Sequence, residues 1–199
     1  MSNNFDLYKQ SLDRWQEYSV KHLGHVEPTW TELDIPWEQT FCIEEIPEND
    51  NWGTVSSNFH MWLEAQFIEW GNIKDATEHY MSFNPELKFD LMPVLKQIKC
   101  TQFLYNFIKI PPGRMIPWHC DTYVYFVKRF NVQPDQLDRL KRAVVCMSDW
   151  DFGHALQIGN SVLGNWTAGD IYSWDHESWH GAANFGKTPL IFMQITYND

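Results

Sequence analysis

Thr101–Val127 reads TQFLYNFIKIPPGRMIPWHCDTYVYFV. Its first ten residues are rich in Phe, Tyr and Ile, the composition of a half-buried strand. Pro111-Pro112-Gly113 breaks that run with a turn, and a second run follows from Met115 to Val127. Within it His119 and Asp121 stand two residues apart. A strand's period of two points both side chains to one face and Cys120 to the other. Such a pair can clasp one metal ion when a third ligand arrives from a distant strand.

Downstream the same texture continues. Short β-type runs fall at Ala143–Met147, Ala155–Ile158, Asp170–Trp174 and Leu190–Tyr197, divided by Gly159-Asn160, Gly164-Asn165 and Gly186-Lys187. Pro134–Arg142 reads as a helical turn or two. Many short strands with glycine-bearing turns predict a sandwich or jelly roll. Upstream the period changes. Phe5, Tyr8, Leu12, Trp15 and Tyr18 form a helix-period stripe through Leu23 with Gly24 as its stop. Phe59, Leu63, Phe67 and Trp70 mark a second helix over Asn58–Trp70. A third begins near Pro85 and runs through Leu87, Leu91 and Leu95, with Pro93 kinking it. Val26–Trp52 holds Pro28, Pro36 and Pro47 and reads as irregular chain. The expectation is one α+β domain over 1–199, mainly β, in which a mostly helical part, 1–99, packs on a β core, 100–199.

Bulk properties narrow the function. A chain of 199 residues with 44% hydrophobic residues can bury a core. The net charge of −11 argues against a general nucleic-acid binder. Cys42, Cys100, Cys120 and Cys146 show no zinc-type spacing. MSNNFDLYKQ has no apolar core of a signal peptide, and no run approaches the ~18 apolar residues of a membrane span. These features predict a soluble, reducing, cytoplasmic setting with no membrane partner, and leave oligomeric state open. The eleven tryptophans are read as core, with a minority lining a pocket.

The candidate for the third ligand is His180, in Ser173–Gly186, SWDHESWHGAANFG. Two imidazoles and one carboxylate on one face of an octahedron leave three adjacent positions open, two for a bidentate 2-oxo acid and one for dioxygen. The HxD tripeptide alone says little, since this composition yields roughly 0.6 by chance; the preceding turn and the following Ala168-Gly169-Asp170 give it weight. His176-Glu177-Ser178-Trp179-His180 also spells HExxH. That zinc-peptidase pattern needs a helix and a further ligand, and its flanks are turn-rich. His22, His25, His60 and His79 have no partner spacing, and His154 is read as a turn residue.

The order Pro112-Gly113, His119-Cys120-Asp121, Arg142, Trp166-Thr167-Ala168-Gly169-Asp170, Trp174-Asp175, His180, Asn184 and the strand Leu190–Tyr197 resembles the Fe(II)/2-oxoglutarate-dependent dioxygenase superfamily. Within it the order is most similar to the aspartyl/asparaginyl β-hydroxylase-like branch. The likeness covers about half of the chain. It implies a double-stranded β-helix (a cupin-like jelly roll) with His119, Asp121 and His180 holding Fe(II). It implies 2-oxoglutarate and O2 as cosubstrates, with succinate and CO2 formed as a C–H bond is hydroxylated. The substrate it suggests is a small molecule or peptide, hydroxylated on an amino-acid or peptide side chain. The superfamily's usual Arg or Lys about ten residues after the distal His is missing; Thr188-Pro189-Leu190 stands there. Arg142 is therefore assigned the far carboxylate of 2-oxoglutarate, with Lys187 in reserve and with Tyr105, Asn106 and Asn184 as further contacts. Replacing Asp121 by Ala is expected to abolish turnover and spare the fold. The rival reading is a non-catalytic cupin-type barrel that binds a metal or small molecule.

Overall fold

Two nine-residue strands rich in Phe, Ile and Tyr pair over their whole length, and the rest of the molecule is arranged around them. The structure is a computed structural model and describes residues 19–30, 35–37, 39–41, 76–121 and 123–198. In chain order the described strands are β1 (Lys21–His25), β2 (Gln39–Phe41), β3 (His79–Phe83), β4 (Gln102–Ile110), β5 (Arg114–His119) and β6 (Leu140–Cys146). They continue with β7 (His154–Ile158), β8 (Ser161–Leu163), β9 (Asp170–Asp175), β10 (His180–Asn184) and β11 (Leu190–Asn198). Helices α1 (Met92–Ile98) and α2 (Val124–Phe130) and a 3-10 helix (Pro134–Arg139) interrupt them.

The strands form two antiparallel sheets. The larger runs β1-β9-β6-β11-β4-β3-β2 and the smaller β5-β10-β7-β8. Alternation sorts each strand's residues between two cores. Even positions of β4, β6 and β11 (Ile108, Val144, Cys146, Phe192) meet Leu156 and Ile158 of β7 and Ala182 of β10 between the sheets. Odd positions (Phe107, Val145, Met193, Ile195) meet Val94 and Ile98 of α1 on the outer face. A third cluster, Tyr123, Phe126, Val132 and Leu140, seals one end.

The strands β1 and β2 are the two opposite edges of the large sheet. Between them Trp30, Ile35 and Trp37 pack on the outer core, and the Trp30 indole N–H donates to the Met147 carbonyl at 2.9 Å. The Lys109 ammonium lies 4.6 Å from the Trp37 ring. The described residues of the strap joining β1 to β2, 26–30 and 35–37, therefore put Trp30, Ile35 and Trp37 on the outer face.

Several sequence expectations change. The helix expected through Leu23 gives way at its end to β1, which pairs with β9; residues 1–18 and the helix expected over 58–70 lie outside the described residues. The third helix starts at Met92, with Pro93 in its first turn, where its missing N–H costs nothing. Three strands thus come from the part expected to be mostly helical. The strand expected to reach Val127 stops at His119. Tyr123 adopts a left-handed backbone (φ 56°) and α2 follows. The strand β10 was not foreseen as one, because HGAAN has none of the usual strand residues.

Candidate metal centre

His119 ends β5 and His180 begins β10, and the two are directly opposite in the antiparallel register. Their rings lie 4.3 Å apart, tilted by 50°. Asp121 reaches them from beyond the end of β5, so it is the chain's departure from the sheet, not the pleat, that brings His119 and Asp121 together. Asp121 Oδ1 is 3.7 Å from His119 Nε2, and Oδ2 is 3.5 Å from His180 Nε2. The ligand atoms of the three residues all lie within 4.8 Å of one another, the one such group among the described residues. Adjacent ligands of an octahedral ion at ~2.1 Å sit roughly 3 Å apart, so small side-chain movements close the shell.

The donor chemistry also fits. His119 Nδ1 lies 2.8 Å from the Pro117 carbonyl, and His180 Nδ1 lies 2.9 Å from that of Ser178. A carbonyl accepts only from N–H, so in the neutral form of each ring Nε2 carries the lone pair a metal needs. His180 Nε2 is buried and has no hydrogen-bond partner. Such an atom is costly unless something binds it. Burial first, and then the neighbouring His119, pushes the His180 imidazole down to about 3, so it is neutral. Burial alone would raise the Asp121 carboxyl, but Arg142 above all, with His180 and His119, holds it well below the usual carboxylate range. The triad therefore offers two imidazole nitrogens, that of His180 in a neutral ring, and one carboxylate.

Arg142 stands in the middle of β6, not before it, and points between the sheets. Its Nε and Nη2 donate to Asp121 Oδ2 at 2.9 and 2.5 Å, and Nη1 donates to Thr196 Oγ1. The guanidinium carbon lies 4.9 Å from the Tyr123 ring centroid. The side chain read as a cosubstrate anchor thus rests on a metal ligand.

The other expected contacts are placed elsewhere. Asn184 is at the far end of β10, four residues or ~13 Å from His180. Its amide is spent on backbone, donating to the Ile110 and Thr188 carbonyls and accepting from the Gly186 N–H. Lys187 is exposed in the turn beyond it, at that same far end. Tyr105 faces outward with Phe103 and Phe107, and its hydroxyl donates to the Pro85 carbonyl at 2.6 Å. Its neighbour Asn106 has the inward parity and is 7% exposed. His154 is buried at the far end, 3.0 Å from the Thr188 carbonyl. His176 and His180 do not share a helix: β9 ends at Asp175, a turn follows, and His180 opens β10, so the zinc-peptidase geometry is excluded.

One neighbour escaped the sequence. His79 on β3, which lies against β5, places its Nδ1 2.8 Å from the Thr77 carbonyl. Burial pushes it down to about 4, and His119 adds to the effect. No spacing motif links residue 79 to residue 119; only the packing of β3 on β5 does.

No protein-family model matches the sequence, and no curated protein matches it. Solved structures do. A Klebsiella pneumoniae protein with a double-stranded β-helix domain aligns at 19% identity and TM-score 0.35, over 59% of this chain and 74% of its own. The Schizosaccharomyces pombe Cnp3 cupin domain aligns at 7% identity and TM-score 0.39, over 61% of each chain, so less than two thirds of that neighbour is spanned. A Pseudomonas putida prolyl-4-hydroxylase aligns at 11% identity and TM-score 0.50, over 97% of this chain and 100% of its own. Its match runs across both facing sheets.

The fold is a double-stranded β-helix. At these identities the likeness carries the fold alone, and it lends no support to the aspartyl/asparaginyl β-hydroxylase branch in particular. Within the double-stranded β-helix the triad occupies one end of the space between the sheets. Arg142, Thr196 and Trp174 line the large-sheet wall there, in direct cross-strand register. The Trp174 ring lies 5.0 Å from that of His180. No helix of the described residues is long and apolar enough to cross a membrane.

Proposed function

We propose that the chain is an iron(II)- and 2-oxoglutarate-dependent oxygenase that hydroxylates a C–H bond of an amino-acid or peptide side chain. The observation that carries this reading is the convergence of two imidazole nitrogens and one carboxylate at one end of the space between the sheets. His119 Nε2, Asp121 and His180 Nε2 would hold the metal. Bound ferrous iron would activate dioxygen, whose four-electron reduction would draw two electrons from the decarboxylating 2-oxo acid and two from the C–H bond.

The chain's own residues account for the rest. The carbonyls of Pro117 and Ser178 fix the two imidazole tautomers. Arg142 is the buried positive charge next to the triad and the one suited to a dicarboxylate; Lys187, at the other end of the barrel, is not. Trp174 and Tyr123 wall the site and keep bulk water from it. A reducing cytoplasm would suit both a ferrous centre and the thiols of Cys100, Cys120 and Cys146.

The test is anaerobic addition of Fe(II) and then 2-oxoglutarate, followed by air. A weak visible charge-transfer band, then succinate, is expected. One observation favours a second reading. Arg142 neutralises the only carboxylate of the triad, which suits a cupin-type module that binds a metal or small molecule without turnover. Absence of both band and succinate would leave that module as the function.

A further inference from the structure

The guanidinium of Arg142 has five N–H bonds. Three are placed: two on the single oxygen Asp121 Oδ2 and one on Thr196 Oγ1. One N–H on each terminal nitrogen remains, with the Tyr123 oxygen as the neighbouring side-chain acceptor, in a side chain only 7% exposed. Around it are other donors without partners. Trp174 Nε1 and Asn106 Nδ2 are buried and make no hydrogen bond, and the Tyr123 hydroxyl, which interacts with Arg142, has no acceptor for its own proton. Tyr123 lies against the guanidinium, and Trp174 is its cross-strand neighbour. Asn106 is opposite Gln194, one inward-facing row along β11 from Thr196. Buried donors left unpaired are rare, and this group shares one preference: an acceptor-rich, negatively charged ligand.

Charge accounting points the same way. Arg142 and Asp121 cancel. A divalent cation held by His119, Asp121 and His180 would then sit within about 5 Å of the guanidinium, two like charges in a poorly solvated space. An anion on the remaining Arg142 N–H bonds would offset that repulsion.

We propose that Arg142 is a positioning residue shared between Asp121 and a carboxylate-bearing ligand, so that metal and anion each strengthen the other's binding through this one side chain. The inference rests on the oxygenase reading for the identity of both ligands, and it deepens that reading by naming a linkage within the site. By reciprocity the coupling is the same from either side. A residue that only anchored the anion would leave metal affinity alone unchanged. One that only braced Asp121 would weaken metal binding when removed. A shared cation does neither: its loss frees Asp121 Oδ2 for the metal and removes the part of the coupling that passes through the guanidinium.

The experiment is a Mn(II) titration of the full chain, followed by the electron paramagnetic resonance signal of free Mn(II), with and without saturating 2-oxoglutarate. Wild type should bind Mn(II) at least tenfold tighter with 2-oxoglutarate than without. Arg142→Met should bind Mn(II) alone about fivefold tighter than wild type, and its 2-oxoglutarate enhancement should shrink about tenfold, leaving what direct chelation supplies. Thr196→Val, which removes one guanidinium tether and keeps the Arg142–Asp121 pair, should reduce the enhancement severalfold and guards against a misfolded Arg142 variant. Undiminished enhancement in Arg142→Met or Thr196→Val, or weaker Mn(II) binding by Arg142→Met alone, would overturn the sharing while the oxygenase reading stands. No Mn(II) binding by wild type, or none strengthened by 2-oxoglutarate, would overturn both.

Discussion

Asp121 does two jobs, and the second changes what its removal should do. Its carboxylate is buried against Arg142 as well as aimed at two imidazoles. Asp121→Asn leaves a guanidinium uncompensated in the interior, a loss of about 3–5 kcal/mol. The expectation from sequence, that the fold would be spared, is replaced by a marked fall in the urea midpoint. Asp121→Asn combined with Arg142→Met should recover part of that loss, because the stranded charge is gone; a double variant as weak as the single would refute the pairing. The three members of the triad were legible as residues, since HxD and a later His survive any modest error in strand boundaries. The role of Arg142 was not. It depends on β6 placing residue 142 inward and on the chain beyond His119 folding back beneath it, and neither is written in local composition. Tyr105 and Asn106 show the same limit, for one step along a strand separates the barrel's inside from its outside.

Strand positions were readable where the residues are branched or aromatic. Gln102–Ile110 and Leu190–Asn198 fall within a residue or so of expectation. The strand β10 was not readable, since HGAAN becomes a strand only because β5 and β7 pair with it on either side. Among the turns, Gly169 carries the most consequence. Its backbone has φ +94°, its N–H donates to the Cys146 carbonyl, and its carbonyl accepts from Val26. A Cβ there would lie 1.9 Å from the Val26 carbonyl oxygen. Gly169→Ala should therefore cost about 2–3 kcal/mol, from backbone strain and from the displaced join between β1 and β9. Chemical denaturation checks this, and an unchanged midpoint would contradict the close approach.

At the scale of the whole molecule, His79 and His180, both pushed down by desolvation, set an acid limit. The unfolded chain protonates both near their ordinary 6.5. The folded chain resists until about 4 at His79 and about 3 at His180. The unfolded state thus binds more protons between those limits, so stability is full above pH ~7 and is lost as pH falls from about 6.5 toward 4. The slope should reach about 2.7 kcal/mol per pH unit if both groups contribute. Asp121, held below its ordinary 3.8, adds a further loss only in stronger acid. Urea midpoints at pH 7, 6 and 5 in the presence of a chelator measure this, and His79→Gln should roughly halve the slope. A flat profile would show that the two rings are not neutral inside.

The strap carrying Trp30, Ile35 and Trp37 has a consequence for how the molecule fails. A single stretch of chain furnishes both outermost strands of the large sheet and the lid over its outer apolar side. The six strand spacings between β1 and β2 come to ~29 Å, well within the ~43 Å that the thirteen residues joining them can reach. One cut there would bare two unpaired backbone edges and an oily surface together, the combination from which β-rich chains self-associate. The first sign of damage to this protein should accordingly be precipitation, before its interior has come apart.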